Sequence, residues 1–225
     1  ENHPIVNGAA EAHSLVNLFG NPTCSGDPLA SDVAGDTGDF QITFEVTDNS
    51  VTTIFATATD EAGNPSACSV QGLTYTEDSL APVIPTLVGT APASPSGNIN
   101  PVLQGATDAG ALVQIFLNAD CSGQPSIVAT GDLNGSFFAR LTVPANQTVS
   151  MSANARDGAG NISACSNVVY YTEDSAAPSA VVFTGTNPLS PSSQNSFTVS
   201  GLAEAGATVR LYSNANCSGA ESALA

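Results

Sequence analysis

The chain repeats itself at an interval of about 96 residues. Residues 89–96 read Gly-Thr-Ala-Pro-Ala-Ser-Pro-Ser, and residues 185–192 read Gly-Thr-Asn-Pro-Leu-Ser-Pro-Ser. The sequence Tyr-Thr-Glu-Asp-Ser likewise occurs at residues 75–79 and at residues 171–175. A repeat of this length has the size of a small domain and exceeds the roughly 20–50 residues of a solenoid or propeller unit. The interval therefore predicts tandem domains that each fold around a separate core.

The phase of the repeat divides the chain into three copies of unequal length. The first copy (residues 1–80) lacks an opening strand, the second (residues 81–177) is complete, and the third (residues 178–225) holds only the first half. We therefore expect an internal piece of a longer protein, with its export signal elsewhere. We also expect the third copy to be only marginally ordered in isolation, because half a domain buries little apolar surface.

The charge balance limits the partners that the chain can bind. It has 20 Asp and Glu against three Arg and Lys together, and its formal net charge is −17. Recognition of phosphates requires cationic surface, so we expect no nucleic-acid partner and no direct insertion into a membrane. Only 10% of the residues are charged, whereas 42% are hydrophobic, which favours packed cores over a disordered acidic chain.

Apolar and polar residues alternate with the two-residue period of half-buried strands. Residues 40–47, for example, read Phe-Gln-Ile-Thr-Phe-Glu-Val-Thr. The second copy contains about seven such segments, and its fifth places Phe137, Ala139, Leu141 and Val143 on one face. Seven short strands in about 100 residues are typical of an all-β sandwich. The predicted strands lie at residues 84–90, 102–105, 112–118, 126–130, 136–143, 148–157 and 168–172.

The cysteines follow the repeat. Cys24 and Cys68 are 44 positions apart, and so are Cys121 and Cys165. This spacing predicts one disulfide in each copy, pairs 24–68 and 121–165, and an oxidising compartment outside the cytoplasm. Cys217 aligns with Cys24 and Cys121, and we interpret it as unpaired because the third copy is cut short. A shared metal site is the weaker alternative, since each copy offers two thiols and no recurring His.

No pattern in the chain indicates catalysis. His3 and His13 are the only histidines, and glycines occupy the positions that correspond to His13 in the other copies. No Gly-x-Ser-x-Gly segment precedes a helix. The pairs Glu77-Asp78 and Glu173-Asp174 are adjacent in linkers, whereas glycoside hydrolysis needs two carboxyl groups that face each other across a cleft. We therefore predict no catalytic residues and no enzyme activity.

Two motifs resemble those of bacterial Ig-like domains. Residues 60–66, Asp-Glu-Ala-Gly-Asn-Pro-Ser, and residues 157–163, Asp-Gly-Ala-Gly-Asn-Ile-Ser, are similar to the D-x-A-G-N-x-S signature of that family. Residues 201–209 are similar to its G-x-A-E-x-G-A-T-V strand. The resemblance covers essentially the whole chain. It implies tandem Ig-like β-sandwiches in large adhesin-like surface proteins of bacteria, with a non-catalytic role as a spacer or stalk outside the cell. The cysteines fall in predicted loops and the chain has no Trp, so the bridge should differ from the inter-sheet disulfide of antibody domains.

Two other functions remain open. A copy could itself bind a carbohydrate or protein ligand, for which Tyr170, Tyr171 and Tyr212 are the candidates for exposed aromatic residues. Alternatively, the copies could be accessory spacers attached to a secreted enzyme. Whichever of these functions applies, we expect each repeat to have the neighbouring repeats of the chain as partners. The linkers at residues 75–82 and 171–178 are short and end in Pro, which keeps neighbouring repeats close together. A host, cell-surface or glycan ligand is not identified by the sequence.

The resemblance also implies calcium at the junctions, because related repeats of giant adhesins bind it there. Hard cations take oxygen ligands from carboxylates, carbonyls and Asn side chains. In the alternative interpretation no cofactor is required. Asp60 and Asp157 then cap turns with their side chains, and the Glu-Asp pairs belong to a solvated linker. The acidic residue at Glu11, Asp108 or Glu204 recurs together with the D-x-A-G-N turn and the Glu-Asp linker, and these groups could surround an ion at the joint if they lie at the same pole. The candidate calcium ligands are Asp60, Asn64, Glu77, Asp78, Asp157, Asn161, Glu173 and Asp174.

Overall fold

The computed structural model of the chain describes residues 2–224, and every regular element within them is a β-strand. Over this range, no helix is long and apolar enough to cross a membrane. The sequence accounts for the strands, because apolar residues recur at every second position and Gly, Pro, Asn and Ser interrupt the runs.

The first copy forms two antiparallel sheets. A four-stranded sheet has the order β3-β2-β5-β6, and a two-stranded sheet pairs β1 with β4. The strands of this copy are β1 (Ile5–Ala9), β2 (Leu15–Phe19), β3 (Ala30–Val33), β4 (Asp39–Thr43), β5 (Val51–Thr59) and β6 (Leu73–Thr76).

The second copy repeats this arrangement and adds an opening strand. Its strands are β7 (Thr86–Ala91), β8 (Val102–Ala106), β9 (Leu112–Phe116), β10 (Ile127–Thr130), β11 (Ser136–Arg140), β12 (Thr148–Arg156) and β13 (Val169–Thr172). One sheet has the order β10-β9-β12-β13 and the other β11-β8-β7. All seven predicted strands are therefore present, and the prediction of an all-β, Ig-like β-sandwich fold is confirmed.

The third copy contributes two short antiparallel pairs. Strand β14 (Val182–Asn187) pairs with β15 (Thr198–Leu202), and β16 (Arg210–Leu211) pairs with β17 (Ala223–Leu224). The domain boundaries at residues 80/81 and 177/178 stay a prediction.

Each of the first two copies encloses a cluster of buried apolar side chains between its sheets. Burying one such side chain completely contributes about 1.5–3 kcal/mol. The first cluster is Val6, Val16, Leu18, Ala34, Ile42, Phe44, Val46 and Ile54. The second is Leu87, Leu103, Val113, Ile115, Phe137, Ala139, Leu141, Val143, Met151, Ala153 and Tyr171.

Several strand ends differ from their predicted positions. Strand β7 begins at Thr86 and not at residue 84, because Pro85 has no N–H to donate. Strand β9 ends at Phe116, since Asn118 already belongs to a turn in which its Nδ2 donates to the Ser122 carbonyl at 2.9 Å. Strand β11 ends at Arg140, although the alternation continues to residue 143 as predicted.

Candidate functional site at the joint after the first copy

The D-x-A-G-N segments form tight turns closed by their aspartates. The Asn64 N–H donates to Asp60 Oδ1 at 2.8 Å, and the Asn161 N–H donates to Asp157 Oδ1 at 2.9 Å. The Asn side chains add bonds to the second carboxylate oxygen, of 2.8 Å from Asn64 and 2.9 Å from Asn161. These side-chain bonds lower the pKa of Asp60 and of Asp157, because they stabilise the ionised carboxylate.

The glutamates of the two linkers are buried, so the expectation that they are solvated is wrong. Glu77 is 2% exposed and Glu173 is 1% exposed. Glu77 Oε2 accepts the Asn49 N–H at 2.6 Å, and Glu173 Oε2 accepts the Asn146 N–H at 2.5 Å. In both copies one carboxylate oxygen of the glutamate therefore accepts a backbone N–H in the turn before β5 or β12, whereas the Oε1 atom of Glu173 is buried without a hydrogen-bond partner in the described part of the chain.

The same turns also hold the residue two positions after each glutamate. Asn49 and Asn146 have φ values of +53° and +54°, in the left-handed region that Asn tolerates. Their Oδ1 atoms accept the N–H groups of Ser79 at 3.0 Å and of Ser175 at 3.1 Å. The first half of each linker is thus anchored to the copy that precedes it.

The residue that follows each linker Pro is bonded within the copy that it enters. The Val83 N–H donates to Asp108 Oδ2 at 2.8 Å, and the Ser179 N–H donates to Glu204 Oε2 at 3.3 Å. These acids occupy the aligned position noted in the sequence. Their contact with the chain after the linker Pro gives them a structural role.

One further bond crosses from the second copy to the linker that precedes it. Asn161 Nδ2, which bonds Asp157, also donates to the carbonyl oxygen of Asp78 at 2.9 Å. The signature Asn of the second copy therefore contacts its own turn and the incoming linker at once. Residues 80–82 lie between these bonded segments, and the Leu80 N–H donates to Asp78 Oδ1 at 3.2 Å.

The calcium candidates are only partly brought together. The candidates Asp78 and Asp157 line a cleft of about 360 Å³ beside the linker, together with Asp108 from the aligned acidic position. Across residues 2–224, however, no three His, Cys, Asp or Glu side chains form a group that could hold a metal ion. The Asp174 N–H donates to the Ser96 carbonyl at 3.1 Å, inside the second copy. The turn interpretation of Asp60 and Asp157 matches the hydrogen bonds, and calcium at the joint stays a prediction.

Both expected disulfides are present. Cys24 and Cys68 are joined with a Cα–Cα distance of 5.6 Å, and Cys121 and Cys165 with one of 5.8 Å. All four cysteines lie outside the strands, and each bridge joins the chain after two neighbouring strands of one sheet. Cys217 is free and exposed.

The candidate residues for catalysis and for ligand binding are scattered. His13 Nε2 lies 3.6 Å from Asp36 Oδ1 at an exposed position, and His3 is also exposed. Tyr170 is 64% exposed, but Tyr171 is fully buried, and the expectation that it is exposed is wrong. The Tyr171 hydroxyl donates to the Asn98 carbonyl at 2.7 Å, which makes the tyrosine part of the core.

Sequence reasoning missed the two turn asparagines and the serines that they hold. Asn49 and Asn146 do recur at matching positions before β5 and β12, which is a usable signal. Asn and Ser are so frequent in this chain that the recurrence does not stand out until the φ angles and bonds are known.

Comparisons with known proteins give structural neighbours only. No protein-family model matches the chain, and no curated protein sequence matches it. A biofilm-associated protein BSP domain matches with 15% identity and a TM-score of 0.31, over 77% of this chain and 28% of that chain. A tetra-tandem repeat from the extending region of a large adhesion protein matches with 16% identity and a TM-score of 0.38, over 80% and 47%. A protein from Corynebacterium diphtheriae described as membrane-anchored matches with 9% identity and a TM-score of 0.33, over 82% and 52%. This chain therefore spans about half or less of the solved chains that it matches.

Proposed function

We propose that the chain is a non-catalytic spacer in a protein displayed outside the cell. In this role the tandem Ig-like copies hold a binding region, located elsewhere in the protein, at a fixed distance from the cell. The observation that carries this proposal is the two-sided anchoring of the linker. Glu77 and Ser79 are bonded to the turn before β5 in the first copy. The carbonyl of Asp78, which lies between them, accepts a bond from Asn161 of the second copy. A joint whose linker is bonded to both copies restricts the rotation of one copy relative to the other. The copies then keep a constant relative orientation, which is the property that a stalk requires.

Two further features support the same role. Disulfides form and persist in oxidising compartments outside the cytoplasm, and each of the first two copies has one. A formal charge of −17 keeps like-charged copies from associating. An adhesive function, a bacterial cell surface and an export signal are parts of this proposal.

The joint can be tested by measuring the distance between the first two copies. We would place two unnatural amino acids for fluorophores at Asp27 and Leu133, which are exposed, and record the distance distribution by single-molecule energy transfer. We expect a distribution much narrower than the roughly 15 Å spread of a flexible eight-residue linker. The substitution Asn161→Ala should broaden it, because the bond to the linker carbonyl is lost.

The matched control is Asn64→Ala. Asn64 makes the equivalent bond to its own aspartate within the first copy, so this substitution should change the local turn and leave the distribution narrow. A wild-type distribution as broad as that of a flexible chain would contradict the proposal.

A ligand-binding role for a copy is less well supported. Phe138 and Tyr170 are 63% and 64% exposed, but they lie on strands of different sheets, β11 and β13. They therefore do not form one aromatic platform of the kind that stacks on a sugar. Saturable binding of a glycan to residues 81–177, lost on Tyr170→Ala, would favour that role over a spacer.

Calcium at the joint is a second proposal, motivated by the three aspartates that line the cleft. Binding would require these side chains to move closer together around the ion. We expect added Ca²⁺ to raise the melting temperature of the wild type and to have no effect on Asp157→Asn. A melting temperature that does not respond to Ca²⁺ would remove calcium from the proposal without affecting the spacer role.

A further inference from the structure

Two repeated motifs of the chain meet in the folded second copy. Residues 89–96 end in Ser-Pro-Ser, as residues 185–192 do, and residues 171–175 repeat the Tyr-Thr-Glu-Asp-Ser of residues 75–79. The first motif continues strand β7, which opens the copy, and the second lies at the end of strand β13, which closes it. We call the contact of residues 87–98 with residues 167–174 the terminal seam.

The middle of the terminal seam is a parallel pairing of backbone. The Ser96 N–H donates to the Thr172 carbonyl at 3.1 Å, and the Asp174 N–H donates to the Ser96 carbonyl at 3.1 Å. Ser96 therefore bonds the residues on both sides of its bridge partner Glu173, which is the pattern of parallel strands. The Thr172 N–H also donates to Ser94 Oγ at 2.8 Å.

Two side chains extend the terminal seam at its ends. The Leu87 N–H donates to Asn167 Oδ1 at 2.8 Å, and Asn167 Nδ2 donates to the Leu87 carbonyl at 2.9 Å. The Asn167 amide therefore pairs with the edge of β7 as a backbone amide would. At the other end, the Tyr171 hydroxyl donates to the Asn98 carbonyl at 2.7 Å. Tyr171 is fully buried, so water does not compete for this bond.

The chain enters and leaves the second copy at opposite ends. Val83, at the entry, is bonded to Asp108, which precedes β9. Ser175, at the exit, is bonded to Asn146 in the turn before β12. Strand β12 begins beside the end of β13 and ends beside the start of β9, so it runs from the exit to the entry. Tension on the two linkers therefore pulls β7 and β13 in opposite directions along their length.

A force in this direction acts on all bonds of the terminal seam at once, because the two segments would have to slide along each other. Bonds at an edge that is peeled away break one after another instead. The disulfide between Cys121 and Cys165 does not replace the seam, since residues 87–98 precede the loop that it closes and residues 167–174 follow that loop. The chain between residues 98 and 167 therefore carries tension only after the seam has opened.

We propose that the terminal seam is the force-bearing site of the copy, through which tension passes from one linker to the next without loading the core. When the seam opens, the disulfide limits how far the copy lengthens. It withholds 44 residues, which is about 150 Å of extended chain. The inference rests on the proposed spacer role, because a spacer that holds a bound region away from the cell is pulled at both ends.

The test applies force to the second copy within the full chain. Unnatural amino acids at Leu80 and Ala176, which are exposed, would carry the handles for optical tweezers. At constant force, Asn167→Ala should shorten the lifetime of the folded copy roughly tenfold, because both bonds to Leu87 are lost. Ser94→Ala removes one bond and should shorten the lifetime by a smaller factor. Reducing the disulfide should lengthen the unfolding step by about 150 Å, which identifies the step as that of the second copy.

The matched control is Asn118→Ala. The Asn118 side chain also bonds a backbone carbonyl, that of Ser122 at 2.9 Å, but it lies between residues 98 and 167. This substitution should leave the lifetime under force unchanged, even if it lowers the urea midpoint. If the lifetimes of all three variants simply follow their urea midpoints, Asn167 acts only through overall stability and the proposal is overturned.

The terminal seam and the joint can fail separately. The distance distribution between Asp27 and Leu133 reports on the joint and does not depend on the seam. Unchanged lifetimes for Asn167→Ala and Ser94→Ala, together with a narrow distribution, would overturn the seam and keep the spacer. Shortened lifetimes together with a broad distribution would support the seam as the site that resists force and remove the spacer role.

Discussion

The second and third copies begin with the same alternating pattern, but they differ in how much of it is buried. Leu103 and Ile115 are 0% exposed in the second copy. The aligned Val199 and Leu211 of the third copy are only partly buried. The strands themselves are present in both. Local alternation is therefore sufficient to specify a strand, whereas burial requires the chain that follows it.

The second half of a copy supplies that burial through strands distant in sequence. Phe137 and Met151, at 1% and 0% exposed, close the core over β8 and β9. The contribution of these contacts to stability can be measured by making the same change in both copies. The predictions below use such pairs, in order of decreasing effect.

Removing the disulfide of the second copy should have the largest effect. The double substitution of Cys121 and Cys165 by Ser frees a loop with a sequence separation of 44 residues. In the chain-entropy model a crosslink of this length contributes about 4 kcal/mol. We expect the free energy of unfolding of the second copy to fall by about that amount, measured by urea titration with hydrogen exchange of its peptides. Cys217→Ser is the matched control and should change nothing, because Cys217 is unpaired.

Truncating one aligned core position should distinguish the two copies directly. Ile115→Ala should destabilise the second copy by about 2–5 kcal/mol, because it removes buried methyl groups and leaves a cavity. Leu211→Ala should lower the free energy of unfolding of the third copy by less than about 1 kcal/mol, since the Leu211 side chain is partly exposed. Equal losses, read from hydrogen exchange in β9 and β16, would show that the third copy has a closed core.

These same copies indicate what the sequence can predict. The alternation predicted all seven strands of the second copy, and the 44-residue interval predicted cysteine pairs that the structure joins. The burial of Glu173 and of Tyr171 was not predictable, because the donor that Glu173 accepts from is 27 positions away and the acceptor of the Tyr171 hydroxyl is 73 positions away. A local pattern carries no information about such contacts. The bond from Asn161 to the linker was missed for the same reason.

The buried linker glutamate should contribute more to the free energy of unfolding than the exposed aspartate that follows it. Glu173→Ala removes the hydrogen bond between a buried carboxylate and the Asn146 N–H, and a hydrogen bond to a charged group contributes about 1.5–3 kcal/mol. Asp174 is exposed, so Asp174→Ala should have little effect on the urea midpoint of the second copy. Glu173→Gln keeps an acceptor oxygen and should lose less than Glu173→Ala. If Glu173→Ala and Asp174→Ala were equal, burial of the glutamate would have no energetic role.

The smallest expected effect is a dependence of stability on acid pH. The bonds from Asn64 and Asn161 lower the pKa of Asp60 and of Asp157 in the folded chain. A lowered pKa means that the ionised carboxylates stabilise the fold above the unfolded pKa of about 3.9, and that this contribution is lost as the pH falls through the folded values. The double variant Asp60→Asn, Asp157→Asn should therefore lose less melting temperature than the wild type between pH 5 and pH 2. Asp27→Asn removes one carboxylate at an exposed site and should follow the wild type. Parallel curves for all three chains would show that the turn carboxylates contribute nothing to stability. The D-x-A-G-N turn would then matter only through the bond that Asn161 makes to the joint.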